Sequence, residues 1–209
     1  HVDGQSVWLA HREGRAKDGV DKTDPAVIKM LTIAKPKARS LTDYIRELTI
    51  VPVSISYQYD PCDALKAHEL TTIEQQGSYT KAEHEDIKSI GHGIAGYKGR
   101  IDIRFSPALT GEYETAVDVA DALDQAIVST YQLQSTNLIA YELVYGKPAL
   151  DSALATLGVP VDQLPDTSTI NRQVFLDRMA SISDEDSLSA LNMYANPIVT
   201  RLRLLTAAK

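Results

Sequence analysis

The 209-residue sequence has little cysteine, little positive charge and no long apolar run. A single cysteine, Cys62, excludes an internal disulfide and a zinc site built from several thiolates, and it fits a reducing compartment. The formal net charge of −7 argues against non-specific nucleic-acid binding. The longest uncharged apolar stretch, residues 48–59, is too short to cross a bilayer. Any contact with a membrane is therefore expected at its surface, or through a segment that lies outside this sequence.

The composition is that of an ordinary globular protein, with 44% hydrophobic and 23% charged residues. This length allows one domain, or one and a half, with a sizeable core. The sequence opens on His1, almost directly in a strand-like run, and has no signal peptide pattern. We therefore expect a fragment of a larger protein.

Local patterns predict an α/β segment over residues 1–114 and a helical region over 115–209. Three apolar runs read as strands: Ser6–Ala10, Leu48–Tyr57 and Gly99–Phe105. The second run is rich in β-branched residues and nearly continuous, as in a parallel strand covered on both faces, with Pro52 expected at a strand end, edge or bulge. The predicted fold is therefore a mixed, mostly parallel sheet flanked by helices.

Capping signals and apolar periodicity predict the helices. Starts are expected after Asp24, at Ser40, at Asp60-Pro61 and at the capping box Thr80-Lys81-Ala82-Glu83. In the second half, Val119, Leu123, Ile127 and Tyr131 share one helical face. The other helices expected there are 137–145, 148–157, 170–180, 187–195 and 197–208.

A charged, glycine-containing loop follows the first predicted strand, from His11 to Gly19. Open α/β sheets bind ligands at the carboxyl ends of their strands. An arginine there can grip a phosphate through two hydrogen bonds, and a lysine adds charge. The non-functional alternative is a solvated turn whose charges bind nothing. A histidine at the end of a strand, such as His11, is more often a polar surface residue than a catalytic base.

The stretch Val7-Trp8-Leu9-Ala10-His11-Arg12-Glu13-Gly14-Arg15-Ala16-Lys17-Asp18-Gly19 resembles the third conserved block of the glycerol-phosphate and lysophosphatidate acyltransferases. In that block an apolar strand precedes Glu-Gly-x-Arg. The segment around Val51-Pro52-Val53 resembles the family's fourth block, and Tyr97–Pro107 is similar to its closing strand. The order of the three segments agrees with the family, and together they cover about residues 6–108.

The resemblance implies acyl transfer from acyl-CoA or acyl carrier protein to a glycerol-phosphate acceptor, in phospholipid biosynthesis. It implies that Glu13, Gly14 and Arg15 contact the acceptor, with Arg12, Lys17, Val51, Pro52 and Val53 as further substrate-binding residues. Arg15 follows Gly14 directly, one residue short of the family spacing, so Arg12 or Lys17 could take its part. No cofactor or metal is implied, and the expected location is the cytoplasmic side of a bacterial membrane.

The family's first block, a histidine followed five residues later by aspartate, is missing from the sequence. The fifth residue after His1, His11, His68, His84 and His92 is never aspartate. Acyl transfer to a hydroxyl needs a base to remove the proton, so we expect the catalytic pair upstream of His1 and no catalysis by this segment alone. Two alternatives stay open: a non-catalytic binding or scaffold module, and an acyltransferase for another lipid acceptor.

Overall fold

The computed structural model describes residues 4–12 and 16–207. About 57% of the described structure is helical. The helices of the described part are α1 (Pro25–Leu31), α2 (Leu41–Leu48), α3 (Asp63–Gln76), α4 (Glu85–Ala95), α5 (Ala116–Thr130), α6 (Ser135–Tyr145), α7 (Lys147–Leu157), α8 (Thr169–Ala180) and α9 (Asp184–Ala207), with a short 3-10 turn at Val161–Gln163. The strands there are β1 (Val53–Tyr57) and β2 (Ile101–Phe105).

The predicted mixed, mostly parallel sheet is wrong. Strands β1 and β2 pair in a two-stranded antiparallel sheet. The flanking hydrogen bonds fix this direction, since Ser106 donates to the Pro52 carbonyl at one end and Gln58 donates to the Arg100 carbonyl at the other. The apolar run 48–57 misled the prediction because it belongs to two elements: Leu48 ends α2, and only the last five residues form β1.

Burial on the sheet is the reverse of what its apolar pattern predicts. In β1 the serines Ser54 and Ser56 are buried, whereas Tyr57 is exposed. Ser54 accepts a hydrogen bond from Thr130 at 3.3 Å, and Ser56 accepts one from Gln134 at 3.1 Å. Strand β2 lies where the sequence predicts it, but its apolar side chains Ile101, Ile103 and Phe105 are exposed, as is Arg104.

The first predicted strand, Ser6–Ala10, does not form. These residues belong to no helix or strand, and Val7 and Trp8 are 83% and 66% exposed. An apolar run of five residues becomes a strand only where a neighbouring strand pairs with it. No such neighbour lies within the described ranges, so local propensity alone did not decide the conformation.

Local capping signals predict helix starts better than they predict the sheet. Asp24 caps α1, with Pro25 in the first turn, and Ser40 caps α2 through the Asp43 amide. Helix α3 begins at Asp63, slightly after the predicted Asp60-Pro61 start. The capping box at Thr80 is wrong, because α4 begins at Glu85 and the Glu85 carboxylate accepts from the Ala82 amide instead.

The second half is helical, as predicted, with one difference. Helices α6, α7 and α8 end close to the predicted stops, including Gly146 and Gly158. The predicted break before Pro197 is wrong, since α9 runs from Asp184 through that proline to Ala207. Because proline has no amide hydrogen, the Met193 carbonyl in this helix has no helical donor at position 197.

The chain divides into two compact units. The first consists of the described residues in His1–Ala16, Asp21–Ser54 and Ile103–Tyr131. The second consists of Lys17–Val20, Ile55–Asp102 and the described residues in Gln132–Lys209. The core of the first unit is formed by apolar side chains from α1, α2, the 109–113 segment and α5: Ile28, Ile45, Leu109, Tyr113, Val119, Ala120 and Leu123.

The second unit is built around α9. Helices α3, α6, α7 and α8 pack against it, and its inner face contributes Ala190, Met193, Tyr194, Ala195 and Ile198. Across the portion of the chain that the structure covers, no helix is long and apolar enough to span a membrane.

Candidate functional site

The short segment Lys17–Val20 is anchored on two helices of the second unit. Lys17 forms an ion pair with Glu69 of α3, whose side chain is 13% exposed. The Asp18 carbonyl accepts a hydrogen bond from the Asn196 side chain of α9 at 2.7 Å. The end of the charged block is therefore held in place and is not a free solvated turn.

Gly19 completes this anchor by a close approach to α9. Its φ is +72°, and a Cβ atom built on it would lie 2.0 Å from the Met193 carbonyl oxygen. Only glycine fits, because a side chain would overlap the helix backbone and would also disfavour the left-handed conformation. The carbonyl that Gly19 approaches is the one that Pro197 leaves without a helical donor.

A histidine–aspartate pair lies one residue along α3 from the Lys17–Glu69 ion pair. His68 Nδ1 is 3.2 Å from Asp186 Oδ2 at the start of α9. The carboxylate is 11% exposed and also accepts from the Ser183 hydroxyl at 2.7 Å. The imidazole is 61% exposed, so solvent reaches it while its partner is held.

Tyr79 and the acids around it border the same turn of α3. The ring of Tyr79 meets the ring of His68 edge-on, with centroids 6.1 Å apart. Its hydroxyl donates to Glu85 at 2.8 Å. Burial and then the hydrogen bond to Glu85 raise the pKa of Tyr79 to about 12, so the phenol stays neutral and adds no negative charge.

A buried polar network fixes α3, α8 and α9 to one another behind this turn. Arg178 donates to both carboxylate oxygens of Asp63, at 2.5 and 3.0 Å, and to the Asp60 carbonyl. The Tyr194 hydroxyl donates to Asp63 at 2.8 Å and accepts from the Asp60 amide. Desolvation and the neighbouring Asp63 raise the pKa of Tyr194 well above its ordinary value, so it remains a donor.

Not all of the predicted substrate-binding residues lie at this candidate site. Glu13, Gly14 and Arg15 lie outside the described residues. Arg12 belongs to the first unit and Lys17 to the second. Within the first unit, His11 is hydrogen-bonded to Thr23 at 3.0 Å.

The Val51-Pro52-Val53 segment also lies in the first unit, where it leads into β1. Pro52 is buried directly before the strand, which confirms the predicted strand-end position. Its carbonyl accepts from the Ser106 amide at 2.9 Å. Val51 is 42% exposed. The observed role of this segment is to pair with the chain after β2.

Sequence reasoning missed Glu69, Asn196 and the His68–Asp186 pair. Their partners are 52, 178 and 118 residues away along the chain, so no spacing pattern connects them. The sequence did point to Gly19, because this glycine belongs to the block that resembles acyltransferases. Among the residues with described positions, no group of three His, Cys, Asp or Glu side chains is placed to hold a metal ion.

Comparison with known proteins adds no relative: no protein-family model, no curated protein and no solved structure matches this chain. The functional assignment therefore depends on the residues themselves.

Proposed function

We propose that the chain is the acceptor-binding part of an O-acyltransferase that acylates glycerol 3-phosphate or lysophosphatidate from acyl-CoA or acyl carrier protein. The observation that carries the proposal is the block from Arg12 to Gly19. It resembles the phosphate-binding block of that enzyme class, and its last residues, 17–19, contact α3 and α9. A membrane surface on the cytoplasmic side is the expected place of action, because such acceptors are lipids or lipid precursors.

The acceptor's phosphate would be bound by cationic side chains of this block. Lys17 is oriented by Glu69, and a phosphate that reaches it shares the ammonium with that carboxylate. Arg15 is the first candidate in the sequence and Arg12 the alternative, since a guanidinium group can bind phosphate through two parallel hydrogen bonds. Glu13 would orient an arginine or accept a hydrogen bond from a glycerol hydroxyl.

Binding of glycerol 3-phosphate, measured by calorimetry on the whole chain, tests the proposal. Arg15→Ala is expected to weaken binding by roughly 1.5–3 kcal/mol, as for a lost charged hydrogen bond. Arg39→Ala is the control, because it removes the same charge outside the block; Arg39 lies just before α2 and pairs with Glu47 near the end of that helix. An unchanged dissociation constant in Arg15→Ala, or no binding by the unmodified chain, would contradict the phosphate role.

The chain alone is expected to release no thiol from acyl-CoA, because it lacks the histidine–aspartate block of the family. The His68–Asp186 pair supports one second candidate, in which this chain supplies its own base. Thiol release that depends on glycerol 3-phosphate and is lost in His68→Ala, but kept in His92→Ala, would favour that candidate.

A further inference from the structure

A cleft lies between the end of α6 and the last turns of α9. Its volume is about 250 Å³. The lining consists of two tyrosines of α6 and four residues of α9: Tyr141, Tyr145, Val199, Leu202, Arg203 and Thr206. The cleft opens where the burial of α6 ends, since residues 135–141 are buried and Tyr145 is 47% exposed.

The lining is apolar apart from one charge. The Tyr141 and Tyr145 rings lie against each other with centroids 4.6 Å apart. The Thr206 hydroxyl is occupied, since it donates to the Arg203 carbonyl at 2.8 Å. Burial raises the pKa of Tyr141, so this phenol adds no negative charge at neutral pH.

Arg203 is the only charged residue of the lining, and it is exposed. In the parts of the chain with described structure, no carboxylate lies within ion-pair distance of it. The nearest acid along α6, Glu142, is already paired with Arg172 at 3.2 Å. Residues 197–207 contain two arginines and no acid, in a chain whose net charge is −7.

We propose that this cleft binds a single acyl chain that carries an anionic head, with the head at Arg203. An apolar wall favours a hydrocarbon chain, and an unpaired guanidinium at its rim favours a carboxylate or phosphate over a neutral group. The volume is just below the lower end of ordinary ligand pockets, about 300 Å³, which suits one chain and not a bulky cofactor. A fatty acid and a lysophosphatidate share this chemistry. The proposal does not depend on the acceptor-binding role of the Arg12–Gly19 block.

Calorimetry below the critical micelle concentration tests the cleft with three probes of equal chain length: dodecanoate, lauroyl lysophosphatidate and uncharged monolaurin. At the cleft, the anionic probes should saturate one site and bind about fivefold more tightly than monolaurin, as expected for one exposed charge pair. Lysophosphatidate is also a proposed acceptor of the Arg12–Gly19 block, so only the binding that Arg203→Gln weakens is assigned to the cleft. If only lysophosphatidate meets that condition, the head is a phosphate, and if only dodecanoate does, it is a carboxylate.

Two matched pairs of variants distinguish binding in the cleft from non-specific binding of the probes to the protein surface. Arg203→Gln should remove the preference for anionic probes, whereas Arg201→Gln, which takes the same charge from the same helix outside the lining, should keep it. Leu202→Gln should weaken all three probes, and Leu205→Gln should not. Circular dichroism would verify that each variant is folded.

Equal losses in the Arg201 and Arg203 variants would overturn the proposal, and so would the absence of saturable binding. Glycerol 3-phosphate binding, measured in parallel, is expected to be unchanged in Arg203→Gln. If the cleft proposal is wrong, the lipid probes fail to bind as expected while glycerol 3-phosphate binding is unaffected. If the acceptor-binding proposal is wrong, glycerol 3-phosphate binding itself is missing.

Discussion

Gly19 is restricted to glycine by two constraints that can be separated. One is the positive φ of +72°, and the other is the Met193 carbonyl oxygen 2.0 Å from any added Cβ. Gly77, at the end of α3, shares the first constraint with a φ of +78° but has open space around its Cβ position. The pair of glycines therefore distinguishes backbone conformation from steric overlap.

Gly19→Ala should lower the free energy of unfolding by about 3 kcal/mol, of which about 1 comes from the left-handed conformation and about 2 from overpacking. Gly77→Ala should cost only about 1 kcal/mol. Urea denaturation of both variants at 25 °C measures the difference. Equal costs would mean that Lys17–Val20 moves away from α9 without penalty.

At the scale of elements, helix starts were predictable and strand partners were not. The Asp24 and Ser40 caps act on amides two or three residues away, so the sequence contains the whole signal. The direction of β1 depends on β2, which starts 44 residues after β1 ends, and the apolar run before β1 gave no indication of it. Pro197 was predicted to break a helix, but packing of α9 against α3 and α6 overrides the local cost.

The same distinction applies to the candidate site. The charged block and its glycine were recognisable locally, whereas Glu69, Asn196 and Asp186 join the site only through the packing of α3 and α9. Their residue types did not indicate that they belong to a site, because single acids and amides on helices are common on protein surfaces.

Helix α5 of the first unit allows a test of a local signal. Thr115 and Asp118 form a reciprocal capping box, and hydrogen bonds from the Thr115 and Glu114 amides lower the pKa of Asp118. Thr115→Ala should destabilise the chain by about 1 kcal/mol. Thr110→Ala, at an exposed position before the helix, should have almost no effect. Equal urea midpoints for the two variants would exclude a role for the box.

At the scale of the whole molecule, four tyrosines link stability to alkaline pH. Burial is the main cause that raises the pKa of Tyr59, Tyr79, Tyr141 and Tyr194. An unfolded chain ionises its phenols near pH 10. These groups therefore stabilise the folded state fully below pH 10, and this contribution is lost as the pH rises further.

The free energy of unfolding should fall above pH 10, by up to about 1.4 kcal/mol per pH unit for each tyrosine that ionises only on unfolding. Tyr194→Phe should reduce this slope, because the Tyr194 phenol is buried and its pKa is raised well above its ordinary value. Urea denaturation at several pH values from 8 to 11.5 measures the slope. A slope that is the same in Tyr194→Phe would show that Tyr194 ionises without unfolding.

The contacts of Lys17–Val20 with α9 also determine when this segment can become ordered during protein synthesis. Asn196, whose side chain holds the Asp18 carbonyl, is translated 178 residues after it. Domains begin to fold from their amino-terminal side while translation continues. The Lys17–Val20 segment therefore cannot adopt its anchored position until α9 has been made, and a nascent chain released before α9 is complete would lack this contact.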